Sequence, residues 1–153
     1  MLEIDQAPDE GQPRPQPLIL LTGLYLFLLL VSIGSYGQPI ACFGRILEGG
    51  AARAFIIGNS LYGLHLFLGL WQRQRLTWYL LLAYNLFETV NTLLTLLLLP
   101  PQELERIQGT PVNPAWLAIN NLATVAAILW VSRVIYRNRE LFTNRSPYLF
   151  FNR

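Results

Sequence analysis

The sequence predicts an all-α integral membrane protein, a bundle of four transmembrane helices with both termini in the cytoplasm. Three observations carry that prediction. Of 153 residues, 53% are apolar and only 13% are charged, about half the charged share of a soluble domain. Four long stretches are almost free of charge, and each is long enough at 1.5 Å per residue to cross a hydrocarbon core of about 30 Å. Arginine is concentrated on one side of the topology those stretches imply.

Residues 1–17 carry Pro8, Pro13, Pro15 and Pro17 among Glu3, Asp5, Asp9 and Glu10. So little apolar surface does not offset the entropy of ordering a chain, and the segment is expected to be a disordered tail. The first span is expected at residues 18–36, which contain no charge. It is too long for the apolar core of a signal peptide and follows an acidic segment, so it is expected to stay in the mature chain. Between spans one and two, Ile40 to Glu48 reads as an ordinary loop folded on the bundle, with an interfacial half-helix as the alternative.

The second span is expected at 54–71, and Gln72-Arg73-Gln74-Arg75 is a polar turn suited to water. The third, at 77–99, is interrupted only by Glu88 and closed by Pro100-Pro101. The fourth, at 115–132, opens on Asn113 as cap and Pro114 at the first helical position. The transmembrane domain as a whole is assigned to 18–136. Residues 137–153 form a basic and aromatic tail, and Arg133 to Phe142 can extend the last helix into water before Ser146-Pro147 breaks it.

Orientation follows from the arginines, since all eleven basic residues are arginine. Arg14, Arg73, Arg75, Arg133, Arg137, Arg139, Arg145 and Arg153 fall on one side, and Arg45, Arg53 and Arg106 on the other. The positive-inside rule puts the richer side, with both termini, in the cytoplasm.

Composition also excludes chemistry. One Cys, Cys42, rules out an internal disulfide, a CxxC pair or a thiolate zinc site, and one His, His65, rules out a histidine metal pair. A net charge of +2 is too small for a nucleic-acid-binding surface. No nucleophile–base pair and no phosphate-binding glycine loop is present, so an enzyme is not expected.

What remains is polar residues inside apolar helices. On the third span Thr77, Tyr84, Glu88, Asn91 and Thr95 fall within about 40° of one line, with Asn85 at its edge and leucines opposite. A carboxylate near a bilayer centre costs at least about 2.5 kcal/mol without a partner, so this stripe must face protein or a watery cavity. On the second span Ala54, Gly58, Tyr62, His65 and Gly69 share a face on which small residues allow close helix contact. Asn59 is level with Glu88 across the hairpin, and the fourth span adds Asn120, Asn121 and Thr124 beside Ala123 and Ala127.

The candidate intramembrane cluster is therefore Asn59, His65, Asn85, Glu88, Asn91 and Asn121. A second candidate site, for a partner or lipid headgroups, is Arg137, Arg139, Arg145, Tyr148, Phe150 and Phe151. The leading expectation is a non-catalytic accessory or assembly subunit, with the lipid bilayer and other membrane subunits, or itself, as partners. The alternative is a small proton-coupled transporter working through Glu88. A third reading makes His65 the axial ligand of a pigment; no cofactor is specified by the residues themselves.

Overall fold

The structure, a computed structural model, describes residues 14–145. It is mostly helical. Four of its helices, α1 (Gln16–Gly34), α2 (Gly49–Trp71), α3 (Arg75–Leu98) and α5 (Pro114–Arg137), are long and apolar enough to cross a membrane. A two-stranded hairpin, β1 (Ile40–Cys42) and β2 (Arg45–Leu47), joins α1 to α2, and a short α4 (Pro101–Gln108) joins α3 to α5.

α1, α2 and α3 begin earlier than composition alone indicates. α1 starts at Gln16, because Pro17 is harmless in a first turn where backbone N–H groups have no helical acceptor. Residues 14–17, assigned to the tail on sequence grounds, thus lead into the helix, and residues 1–13 lie outside the described residues. α2 starts at Gly49, well before residue 54, so the Gly49-Gly50 pair opens a helix instead of closing a loop. The extension expected from Arg133 runs as helix to Arg137, where Asn138 ends α5, and a 3-10 turn at Arg139–Leu141 takes the place of the rest. The start of α5 is as expected: the Asn113 side chain accepts from the N–H groups of Ala115 at 2.9 Å and Trp116 at 3.4 Å.

The segment from Ile40 to Glu48 is neither loop nor half-helix. Its strands pair antiparallel in the register Ile40↔Leu47, Ala41↔Ile46 and Cys42↔Arg45. The turn residues Phe43 and Gly44 both have positive φ, +48° and +74°, the twist that suits a two-residue hairpin. α4 is a further element between the third and fourth spans. It opens on Pro101 and is stopped by Gly109, left-handed at φ +66°, whose N–H bonds Glu105 O at 2.8 Å. Arg106 on α4 bonds Glu48 at 2.6 Å and Glu103 at 3.1 Å, holding this connection to the end of the hairpin.

α1 packs along α2 and α3 along α5; α2 and α3 meet more lightly. The α2–α3 contact is closest at Gly69, where a β-carbon would overlap the side chain of Thr77. The α1–α2 contact uses Gly63, over which Leu29 lies. Ala54 and Gly58, expected in a helix contact, are exposed, because α2 turns a different face to α1.

The core lies at one end of the bundle, where Leu18, Leu21 and Tyr25 of α1 meet Leu66 and Leu70 of α2, Leu81 of α3, Ile135 of α5 and Phe142. Both ends of the described chain close over it. Arg14 lies 3.8 Å over the ring of Trp71, and Asn144 donates to Arg73 O at 3.0 Å and accepts from Arg75 N at 2.8 Å. Trp78 Nε1 adds a 3.1 Å bond to Ile135 O between α3 and α5. Residues 14 and 145 are thus on the same side of the bundle as the α2–α3 turn.

Candidate functional site

The polar face of α3 organises the interior. Its residues recur at helical spacing, and Tyr84, Asn85, Asn91 and Thr95 find partners on other elements. Tyr25 of α1 donates its hydroxyl to Asn85 Oδ1 at 2.7 Å, and Asn85 Nδ2 donates to Ser132 Oγ of α5 at 3.0 Å. One buried amide therefore ties three helices. Ser132 passes its own proton to Ile128 O at 2.8 Å, so the chain ends on a backbone acceptor.

One residue earlier, Tyr84 donates to Asn59 Oδ1 of α2 at 3.2 Å; Asn59 Nδ2 donates to Ser32 Oγ of α1 at 3.2 Å, and Ser32 pairs with Ser60 at 3.0 Å. Tyr62 lies beside Tyr84 with ring centroids 5.5 Å apart and donates to Leu80 O at 3.2 Å. Between Tyr25, Ser32, Asn59 and Tyr84 a cavity of about 10 Å³ remains, the size of a single water site.

Glu88 is half-buried near the middle of α3, on the same face as Tyr84 one turn before it and Asn91 three residues after it. The next turn is covered by the hairpin. Phe43 N donates to Asn91 Oδ1 at 2.7 Å, Gly44 N donates to Thr95 Oγ1 at 3.4 Å, and the Phe43 ring stands edge-on to Phe87 at 5.4 Å. Gly44 is required there, since a β-carbon would come within 2.5 Å of Leu98 Cβ. Cys42 lies close enough for Glu88 to act on it: burial, and then the negative charge of Glu88, push its thiol above the usual range.

The structure thus brings Asn59, Asn85, Glu88 and Asn91 into one connected region and leaves two of the expected members out. Asn121 donates to Leu117 O of its own helix at 2.8 Å. His65 has a buried Nε2 with no hydrogen-bond partner among the described residues. Arg137, Arg139 and Arg145 are exposed at the end of the bundle, and Tyr148, Phe150 and Phe151 lie outside the described residues. Three contributors were missed: Tyr25, Ser32 and Ser132. Tyr25 and Ser32 are seven residues apart, two turns on one face of α1, which was the available signal.

On α5 the polar and small residues point the other way. Asn120, Ala123, Thr124 and Ala127 share one face and are all exposed, and in the most apolar 18-residue window of this helix 0% is buried. Thr124 satisfies itself on Asn120 O at 2.9 Å. The Asn120 amide faces outward.

No family model matches this chain, and no curated protein or solved structure matches it.

Proposed function

We propose that this chain is a multi-pass membrane subunit with both termini cytoplasmic and no chemistry of its own, which docks through the outer face of α5 onto another membrane-spanning protein. The observation that carries this reading is the exposed row of Asn120, Ala123, Thr124 and Ala127. Lipid tails cannot satisfy an amide, whereas a second helix can, and alanines four apart let two backbones come close. The interior polar groups support the same reading, because Asn59, Asn85 and Asn91 are committed to bonds within the chain. The eight-to-three arginine split supports the orientation, with the hairpin and α4 outside.

The test is photocrosslinking in native membranes, with the crosslinking amino acid at Thr124 or, as a lipid-facing control, at Leu30. A discrete adduct from position 124 only is the expected result. No adduct, or the same smear from both positions, would overturn the reading.

A second reading, proton-coupled transport, rests on the Glu88 carboxyl near the middle of α3. It predicts proton flux in liposomes that Glu88→Gln abolishes. The docking reading predicts no flux and the same crosslink in that variant.

A further inference from the structure

In the half of the α1–α2 pair nearest the hairpin, residues of the two helices line an apolar groove of about 290 Å³. Leu29 and Ile33 form one wall, and Ile56, Ile57, Leu61 and Leu64 the other. Ile33, Ile57, Leu61 and Leu64 are exposed, so the groove opens outward along its length. Its polar residues are Ser60, which is turned inward to its 3.0 Å bond with Ser32, and Tyr36 at the mouth. The volume decides between occupants. A helix about 10 Å across would fill it with less than one turn, so a partner helix would rest on the rim, whereas a thin hydrocarbon chain lies inside.

Charge at the mouth adds the rest. Arg53 is four residues before Ile57, on the same face of α2 and one turn closer to the helix end. It is exposed and makes no ion pair among the described residues. The carboxylates of Glu48, at the hairpin end that leads into α2, and of Glu103 on α4 both pair with Arg106, at 2.6 and 3.1 Å. Arg53 is therefore a cation without a counterion above a hydrocarbon slot, the complement of a phosphate joined to an acyl chain.

We propose that this groove binds one anionic phospholipid, with an acyl chain between α1 and α2 and its phosphate on Arg53. The proposal rests on the membrane-spanning reading of the four helices and is independent of the docking face on α5.

Native mass spectrometry of the full chain in a neutral detergent tests it, with added phosphatidylglycerol or phosphatidylcholine. Phosphatidylglycerol is expected to be retained at least about fivefold better, Arg53→Gln to remove that preference, and Ile57→Trp, which fills the groove, to lower retention of both lipids. Arg45→Gln, on the hairpin, is the control and keeps the preference. Equal retention by the unaltered chain, or an Arg53→Gln variant that behaves like it, would overturn the proposal. Displacement of the lipid by inorganic phosphate would overturn it in favour of a simple anion site, and a dimer lost in Ile57→Trp in favour of a second copy of the chain. Alkaline carbonate extraction of native membranes separates the two levels: release of the chain refutes the membrane reading itself, whereas retention leaves the lipid result to stand alone.

Discussion

Tyr25 and Asn85 lie 60 positions apart and meet in a 2.7 Å hydrogen bond that ties α1 to α3, and the same asparagine reaches Ser132 of α5. Asn85→Leu keeps much of the volume but strands the Tyr25 hydroxyl in a closed site. The expected loss is about 1–3 kcal/mol, read as a lower melting temperature in detergent. Adding Tyr25→Phe removes the stranded group and should recover part of it. An unchanged melting temperature for Asn85→Leu would refute the three-helix tie.

Gly69→Ala should destabilise by about 1–3 kcal/mol, because the new methyl group overlaps Thr77 at the closest approach of α2 and α3. Gly58→Ala, where a β-carbon meets nothing within 4 Å, should stay within about 0.5 kcal/mol of the parent chain. Equal effects at the two glycines would contradict this packing.

His65→Phe should leave thermal stability the same or raise it. The ring keeps its bulk while a buried Nε2 without a hydrogen-bond partner disappears. A marked loss of stability or of an absorbing cofactor would show that the imidazole is engaged after all.

Alkylation of Cys42 should be slow at neutral pH and rise only in a more alkaline range than for a free cysteine peptide. The sign follows from the thiol being held in its protonated form, first by burial and then by Glu88. Glu88→Gln should move the midpoint down. A midpoint at or below that of the peptide would mean the hairpin does not lie over α3.

In a Cys42→Ser background, a cysteine at position 105 should react with an impermeant maleimide in intact cells, and one at position 145 should not. The reverse pattern would invert the proposed topology.

The four long helices were legible because length and apolar content are nearly sufficient for them, and Asn113-Pro114 marked its helix start directly. The hairpin was not, because three-residue strands carry too few positions for an alternation to register, and its signal reduces to the Phe43-Gly44 turn. α4 escaped for a related reason: an eight-residue helix that opens on the second of two prolines and stops at a glycine reads as loop until the left-handed Gly109 is seen. Within the candidate site the helical period put Tyr84, Glu88, Asn91 and Thr95 on one face correctly. It could not say which neighbour each would meet, since that depends on how helices pair. The same gap misplaced Ala54, which is exposed, and Gly58, which lies in open space, while Gly63 and Gly69 do the close packing.

Biosynthesis inherits an order from the Asn85–Ser132 bond. Ser132 is 47 residues downstream of Asn85, about 2–9 s of translation at about 5–20 residues per second. When α3 leaves the ribosome, Tyr25, Ser32 and Asn59 have already been made, so α1 and α2 shelter most of its polar face at once. The amide donor of Asn85 waits for the last helix. A nascent chain arrested before residue 132 therefore presents the Asn85 amide and the Trp78 indole N–H without their acceptors, a handle for quality control that vanishes when α5 arrives.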